Sequence, residues 1–200
     1  KIENLRSEKK NDRARIAATI IWENCDRPAQ ELYFETDEAF AGDISCNPHA
    51  FLVACIMPAM HFGEKRVFVD AEICPELKDG LINVMGLMSN WYDWYVPERH
   101  IVRIEVKPQS HALYSTKSRS AGFLFSGGID SLATLRANRI NYPLEHPGSI
   151  KYGLLVYGLE VNDPKNFDYV INSVSVLAKH ADVTLMPLYT NIRSLGPEKD

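Results

Sequence analysis

The stretch G-F-L-F-S-G-G-I-D-S-L-A-T-L, residues 122–135, consists of an apolar run, three small residues and a segment with helical spacing, in that order. Residues 122–125 are an apolar run without charge, which predicts a short strand buried in a parallel sheet. Residues 126–128 interrupt that run with small side chains. Residues 129–135 then have the apolar spacing of the first turns of a helix. The stretch therefore predicts a strand, a tight turn and a helix N-terminus.

A glycine turn that leads into a helix N-terminus is a good site for anions. The first N–H groups of a helix have no partner within it, and the helix dipole favours negative charge there. Gly127 and Gly128 allow close backbone approach and positive φ angles. The hydroxyls of Ser126 and Ser131 can donate to phosphate oxygens, and Asp130 could hold a hydrated Mg²⁺ ion that bridges them.

The loop is not a Walker P-loop, because no lysine follows the glycines. Residues 126–131 instead resemble the S-G-G-x-D-S signature of the PP-loop ATP pyrophosphatases, with all six positions present between a strand and a helix. That family includes GMP synthetase, NAD synthetase, asparagine synthetase, argininosuccinate synthetase and the queuosine-pathway cyano-deazaguanine synthase. The alternative is a glycine-rich turn in another kind of α/β protein.

The resemblance implies an ATP-dependent ligase or amidating enzyme. In this family a carboxylate or similar oxygen attacks the α-phosphate of ATP, pyrophosphate leaves, and a nitrogen or sulfur nucleophile then displaces AMP from the adenylate; for this chain we expect a nitrogen nucleophile. Asp130 and Ser131 would be the catalytic residues, Asp130 would hold the metal, and ATP and Mg²⁺ would be bound. The loop residues that would hold pyrophosphate are Ser126, Gly127, Gly128, Ile129, Asp130 and Ser131.

Two later segments could complete a nucleotide site. Ligands bind open α/β sheets outside the carboxyl ends of the strands. Tyr157 and Gly158 follow a second apolar run, and the resemblance implies that adenine binds there, although Gly158 could equally terminate a strand. Thr190, Asn191 and Arg193 follow a third run and are expected to line the same crevice. Arg193 could neutralise the α-phosphate or a substrate carboxylate, or be an ordinary surface arginine.

The sequence after residue 120 alternates regularly between strand and helix patterns. Residues 152–159 and 183–187 predict two further strands, and Asp163-Pro164 predicts the start of the helix between them. This alternation predicts an α/β fold with a doubly wound parallel sheet. The resemblance implies the HUP or PP-loop type of that fold. The segment is short for such a domain, so we expect it to be incomplete at the C-terminus.

The preceding residues predict a smaller α/β or α+β domain. Residues 1–15 are highly charged and predict a solvated lead-in or a frayed helix. Strands are expected at residues 16–22, 31–36, 66–73 and 101–106. Helices are expected from Asn47-Pro48, with Asn47 as the N-cap and a kink or end at Pro58, and from Pro75. We therefore divide the chain into an N-terminal domain (residues 1–107), a linker (108–120) and an ATP-binding domain (121–200).

Composition excludes several classes of protein. The chain has 200 residues and a net charge of −4, which gives no general attraction to nucleic acids or anionic membranes. No apolar run approaches the ~18 residues of a membrane span, and no signal peptide is visible. The four cysteines show no C-x-x-C spacing, which favours free thiols in the cytoplasm. The six histidines have no metal-ligand spacing.

Within the family, the motif together with Tyr157-Gly158-Leu159 and residues 190–193 looks most like the branch similar to cyano-deazaguanine synthase. Members of that branch occur in biosynthetic clusters and in anti-phage operons. The zinc-binding cysteine cluster of the deazaguanine synthases would lie beyond Asp200. The resemblance implies an acid substrate, either a small molecule or a peptide, and we expect a homo-oligomer. The alternative is a nucleotide-binding scaffold or regulatory protein, for example in an anti-phage operon, whose residues 1–107 dock a protein partner.

Overall fold

The structure is a computed structural model that describes residues 1–91, 101–107, 120–159 and 163–197. These residues form an α/β fold with an eight-stranded sheet and four α-helices. The elements are β1 (Ile2–Lys10), β2 (Arg13–Ile20), β3 (Gln30–Asp37), α1 (Pro48–His61), β4 (Arg66–Val69), α2 (Pro75–Trp91), β5 (Arg103–Val106), β6 (Ala121–Leu124), α3 (Ile129–Asn141), β7 (Ile150–Tyr157), α4 (Pro164–His180) and β8 (Thr184–Thr190). Short 3₁₀ helices follow β3 and β8, at Glu38–Phe40 and Ile192–Leu195.

All eight strands belong to one mixed sheet in the order β5-β4-β1-β2-β3-β8-β7-β6. The strands β1, β2 and β3 are antiparallel neighbours, whereas β6, β7 and β8 are parallel. The two groups meet where β3 pairs antiparallel with β8, with Phe34 opposite Thr190 and Thr36 opposite Leu188. The α/β class is therefore confirmed, but the sheet is mixed. The sheet is continuous across the two predicted domains; most of the predicted linker, residues 108–119, lies outside the described residues.

Helices cover both faces of the sheet. Phe34 of β3 packs edge-on against Phe51 of α1, with ring centroids 5.5 Å apart. The next residue, Glu35, is opposite Tyr189 of β8, and Tyr189 packs against Phe167 of α4. Successive residues of a strand point to opposite faces. It follows that α1 and α4 lie on opposite faces.

The larger hydrophobic core lies between α1, α2 and the first strands. The inward side chains of β2 are Ile16, Ala18 and Ile20, which alternate with residues on the other face. A smaller core surrounds Phe125, at the end of β6, and includes side chains of α3 and α4 such as Leu135. The helices α3 and α4 therefore pack on the same face, next to the three parallel strands.

One expectation from the sequence is wrong, and another is narrowed. Residues 2–10 form β1, not a lead-in or a frayed helix, and this strand pairs with β2. Its charged residues are tolerated because one face of an antiparallel sheet can be open to water. Of the kink or end predicted at Pro58, the end is excluded, because α1 continues to His61. Only the last residues of the helix follow Pro58, so the missing N–H group affects the final turn.

Candidate functional site

The glycine turn joins the carboxyl end of β6 to α3, as predicted. Gly127 has a φ angle of +76°, and a Cβ atom there would lie 3.0 Å from Cγ2 of Val174. Gly128 is the N-cap residue of α3, with φ −73° and ψ 168°, which any residue can adopt. Of the two glycines in this turn, only Gly127 therefore requires a positive φ angle.

Two serine hydroxyls stabilise this loop. The hydroxyl oxygen of Ser126 accepts a hydrogen bond from the N–H group of Gly128 (3.3 Å), and Ser126 is exposed. Ser131 is buried and donates to the carbonyl oxygen of Gly128 (2.8 Å). In this conformation Ser131 holds the loop in shape, whereas Ser126 can reach a ligand. The side chain of Ile129 is 83% exposed, so the entry to the helix is open.

The first turn of α3 has the properties of an anion site. No side chain caps its N-terminus, and its first N–H groups lie outside the helical hydrogen-bond pattern. Asp130 is the acidic residue of that turn and is exposed. Within the described ranges, no group of three His, Cys, Asp or Glu residues could hold a metal ion. A single carboxylate still fits Mg²⁺, which is commonly bound by one or two carboxylates together with substrate phosphates.

A cleft of about 660 Å³ lies at the carboxyl ends of β6 and β7. Within the described part of the chain, its polar lining side chains are those of Ser126 and Arg193. The other lining residues are apolar: Leu124, Phe125, Leu154, Leu155, Val156, Leu159 and Val170. The structure therefore brings together a loop residue and the arginine that the sequence placed beside it. Sequence reasoning missed the apolar lining, because these residues had the ordinary pattern of buried strands and helices.

Tyr157 and Gly158 lie beside this cleft but are not among its lining residues. The Tyr157 ring packs against Phe167 of α4, with centroids 5.2 Å apart. Gly158 has a φ angle of +98°, and a Cβ atom there would lie 1.7 Å from the carbonyl oxygen of Thr190. Close backbone packing at the end of β7 therefore requires this glycine, whether or not adenine binds nearby.

Thr190 and Asn191 do not contribute their side chains to the cleft, so that expectation is wrong. The Thr190 hydroxyl donates to the carbonyl oxygen of Tyr33 (2.7 Å). The Asn191 side chain accepts from the N–H group of Tyr33 (3.0 Å) and donates to the carbonyl oxygen of Glu31 (2.7 Å). These bonds extend the pairing between β3 and β8. Of the three residues predicted at the end of β8, Arg193 alone lines the cleft.

We compared the chain with protein-family models, curated proteins and solved structures. None of the three comparisons finds a match. In the part of the chain that the structure describes, no helix combines the length and the apolar character needed to cross a membrane. The loop and the cleft are the observations on which a function can be proposed.

A second group of polar side chains lies away from the cleft, where the N-termini of α1 and α2 meet. The N–H group of Cys74 donates to Nε2 of His49 (3.0 Å), and the Cys74 thiol donates to the carboxylate of Glu76. Burial lowers the pKa of His49, and the bond from Cys74 lowers the pKa of Glu76. All four cysteines are free, as predicted, and burial raises the pKa of Cys55 to about 12.

Proposed function

We propose that this chain binds ATP as part of an Mg²⁺-dependent adenylating enzyme of the PP-loop type. The observation that carries the proposal is the Ser126–Ser131 loop at the carboxyl end of a parallel strand, with Gly127 at positive φ and the N-terminus of α3 open behind it. The doubly wound fold belongs to the same proposal. The order β6-β7-β8, with α3 and α4 on one face, matches one βαβαβ half of such a fold.

The chemistry is an attack on the α-phosphate of ATP. A carboxylate oxygen of the acid substrate bonds to the α-phosphorus, the bond from that phosphorus to the bridging oxygen breaks, and pyrophosphate leaves. A nitrogen nucleophile then displaces AMP from the adenylate, as in the deazaguanine synthases. The acid is a small molecule or a peptide.

The role of the loop in this reaction is electrostatic. The first N–H groups of α3 and the Ser126 hydroxyl would hold the pyrophosphate oxygens, and these donors need little rearrangement because the fold already fixes them. Asp130 would hold Mg²⁺, which neutralises phosphate charge when it is bound. The apolar cleft gives the base and ribose a site from which water is partly excluded.

The reaction products test the proposal. The protein as it occurs in the cell, incubated with ATP, Mg²⁺ and candidate acids, should release AMP and pyrophosphate. Steady release of ADP and phosphate would contradict the proposal, because it places bond cleavage at the γ-phosphate.

A matched pair of glycine variants tests the loop. Gly127→Ala should lower the free energy of unfolding by about 1–2 kcal/mol, because alanine is strained at positive φ. Gly128→Ala should leave it within about 0.5 kcal/mol, because the Gly128 backbone is extended and a Cβ atom there would lie 3.4 Å from Oγ of Ser126. Both variants should bind Mg²⁺–ATP more weakly in calorimetry, since either methyl group hinders the approach of phosphate. Wild-type affinity in both would show that the loop does not hold phosphate.

A further inference from the structure

Arg193 is the single charged residue among the described residues that line the cleft, and it lies on the 3₁₀ helix after β8. The other polar lining residue, Ser126, begins the glycine turn, and the remaining lining residues are apolar. Among the residues that the structure describes, no carboxylate belongs to this lining. A guanidinium group in such a cleft loses hydration when a ligand covers it, so a ligand that supplies an anion is strongly preferred.

The contacts of Arg193 with described residues leave most of its donors available. Its Nη1 atom donates to the carbonyl oxygen of Leu159, just after β7. Among the described residues Arg193 forms no ion pair, whereas Arg15 on the same sheet is paired with Glu8, Glu31 and Glu35. A guanidinium group has five N–H donors in a planar fork. The bond to Leu159 therefore orients Arg193 and leaves other donors for a ligand.

We propose that Arg193 binds the phosphate attached directly to the nucleoside, so that the cleft selects nucleotides over nucleosides. This inference rests on the proposed function. With the β- and γ-phosphates at the loop that begins at Ser126, and the base among the apolar side chains, the α-phosphate lies between the two. Arg193 is the cation that lines this space. Neutralising the α-phosphate also lowers the repulsion that an attacking carboxylate meets.

The test compares Arg193→Gln with Arg27→Gln. Arg27 also donates to the segment after β8, to the carbonyl oxygens of Ser194 (2.7 Å) and Gly196 (3.1 Å), but it is not a lining residue of the cleft. It therefore controls for disturbance of the 3₁₀ helix. Calorimetry with ATP plus Mg²⁺, AMP and adenosine gives three affinities for each protein.

We expect Arg193→Gln to bind AMP and ATP at least about tenfold more weakly, and adenosine with an affinity within about twofold of the wild type. Arg27→Gln should keep the wild-type ratio of AMP to adenosine affinity. Equal weakening of AMP and adenosine in Arg193→Gln would overturn the inference, because Arg193 would then act by positioning Leu159. That result would leave the proposed function standing. If the wild type bound none of the three ligands, the proposed function would fail, and the inference with it.

Discussion

Residues 2–106 and residues 121–195 contribute to the same sheet, but they bury very different amounts of apolar surface. The first region packs α1 and α2 over its strands, and Phe51, Leu52 and Met60 are fully buried there. In the second region the core around Phe125 is small, and Leu124 and Ile140 are 65% and 71% exposed. The region that contains the proposed site is therefore the less well packed of the two. Its stability depends on the junction of β3 with β8 as well as on its own core.

The two regions also differ in where their polar side chains lie and in how far these are buried. On the face opposite α1, the antiparallel strands hold Arg15, which is 4% exposed and paired with Glu8, Glu31 and Glu35. Such a network fixes the register of the strands through side chains. In the second region, Ser126 and the N-terminus of α3 lie at the carboxyl end of the parallel strand β6, where they are exposed to solvent. Arg15 is thus buried among its ion-pair partners in the first region, whereas Ser126 in the second region is exposed.

The largest effect that we expect comes from the end of β7. Gly158→Ala places a Cβ atom against the carbonyl oxygen of Thr190 and strains a positive φ angle, so it should lower the free energy of unfolding by roughly 3 kcal/mol or more. Urea unfolding measures this loss. Gly80→Ala is the matched control on α2, where a Cβ atom meets open space, and it should stabilise the protein by about 0.5–1 kcal/mol. Equal effects of the two substitutions would show that the end of β7 does not require glycine at position 158.

The junction between the regions can be weakened at Asn191. Asn191→Ala leaves the N–H group of Tyr33 and the carbonyl oxygen of Glu31 without these partners and should cost about 1–2 kcal/mol. Because β3 and β8 share one sheet, we expect a single unfolding transition with a lower midpoint. The exposed Asn172→Ala on α4 is the control and should change stability by less than about 0.5 kcal/mol. Two separate transitions in the wild type would show that the regions unfold independently.

The smallest effect that we expect is on the pH dependence of stability, and it comes from His49 in the first region. Burial lowers the pKa of His49, and its Nε2 atom must be unprotonated to accept from the N–H group of Cys74. A histidine whose pKa is lower in the folded state than in the unfolded state stabilises the fold at pH values above its unfolded-state pKa, which is about 6.5. That contribution is lost as the pH falls through the folded-state pKa. The urea midpoint of the wild type should therefore fall more between pH 7.5 and pH 5 than that of His49→Gln. Parallel pH profiles for the two proteins would exclude this role.

The sequence predicted local features well and long-range ones poorly. Asn47 and Asp163 accept hydrogen bonds from the N–H groups of the first turns of α1 and α4, as their positions before proline predicted. The glycine turn was predicted because a strand, small residues and a helix signal follow one another directly. By contrast, β1 was missed because its many charged residues obscured the alternation of apolar and polar side chains. Identifying it as a strand would have required knowing that it pairs with β2.

At the candidate site, too, the sequence predicted what depends on local pattern and not what depends on long-range strand pairing. Arg193 and Ser126 were predicted as neighbours because both follow parallel strands, and such ends meet at one edge of a sheet. The directions of Thr190 and Asn191 could not be predicted, since they depend on the pairing of β8 with β3. Nothing in the local sequence of β8 indicates that its neighbour is a strand from the first region.

The pairing of β3 with β8 has a consequence for how the chain folds. The Thr36 hydroxyl donates to the carbonyl oxygen of Pro187, and these residues are 151 positions apart. The strands β1, β2 and β3 can pair early, because they are close in sequence and their contacts need little loop closure. On a ribosome, the free edge of β3 must then wait for almost all of the remaining described chain to be made. An unpaired strand edge is a template for pairing with other chains. Nascent chains that stop before Thr184 should therefore be the ones that aggregate or need a chaperone.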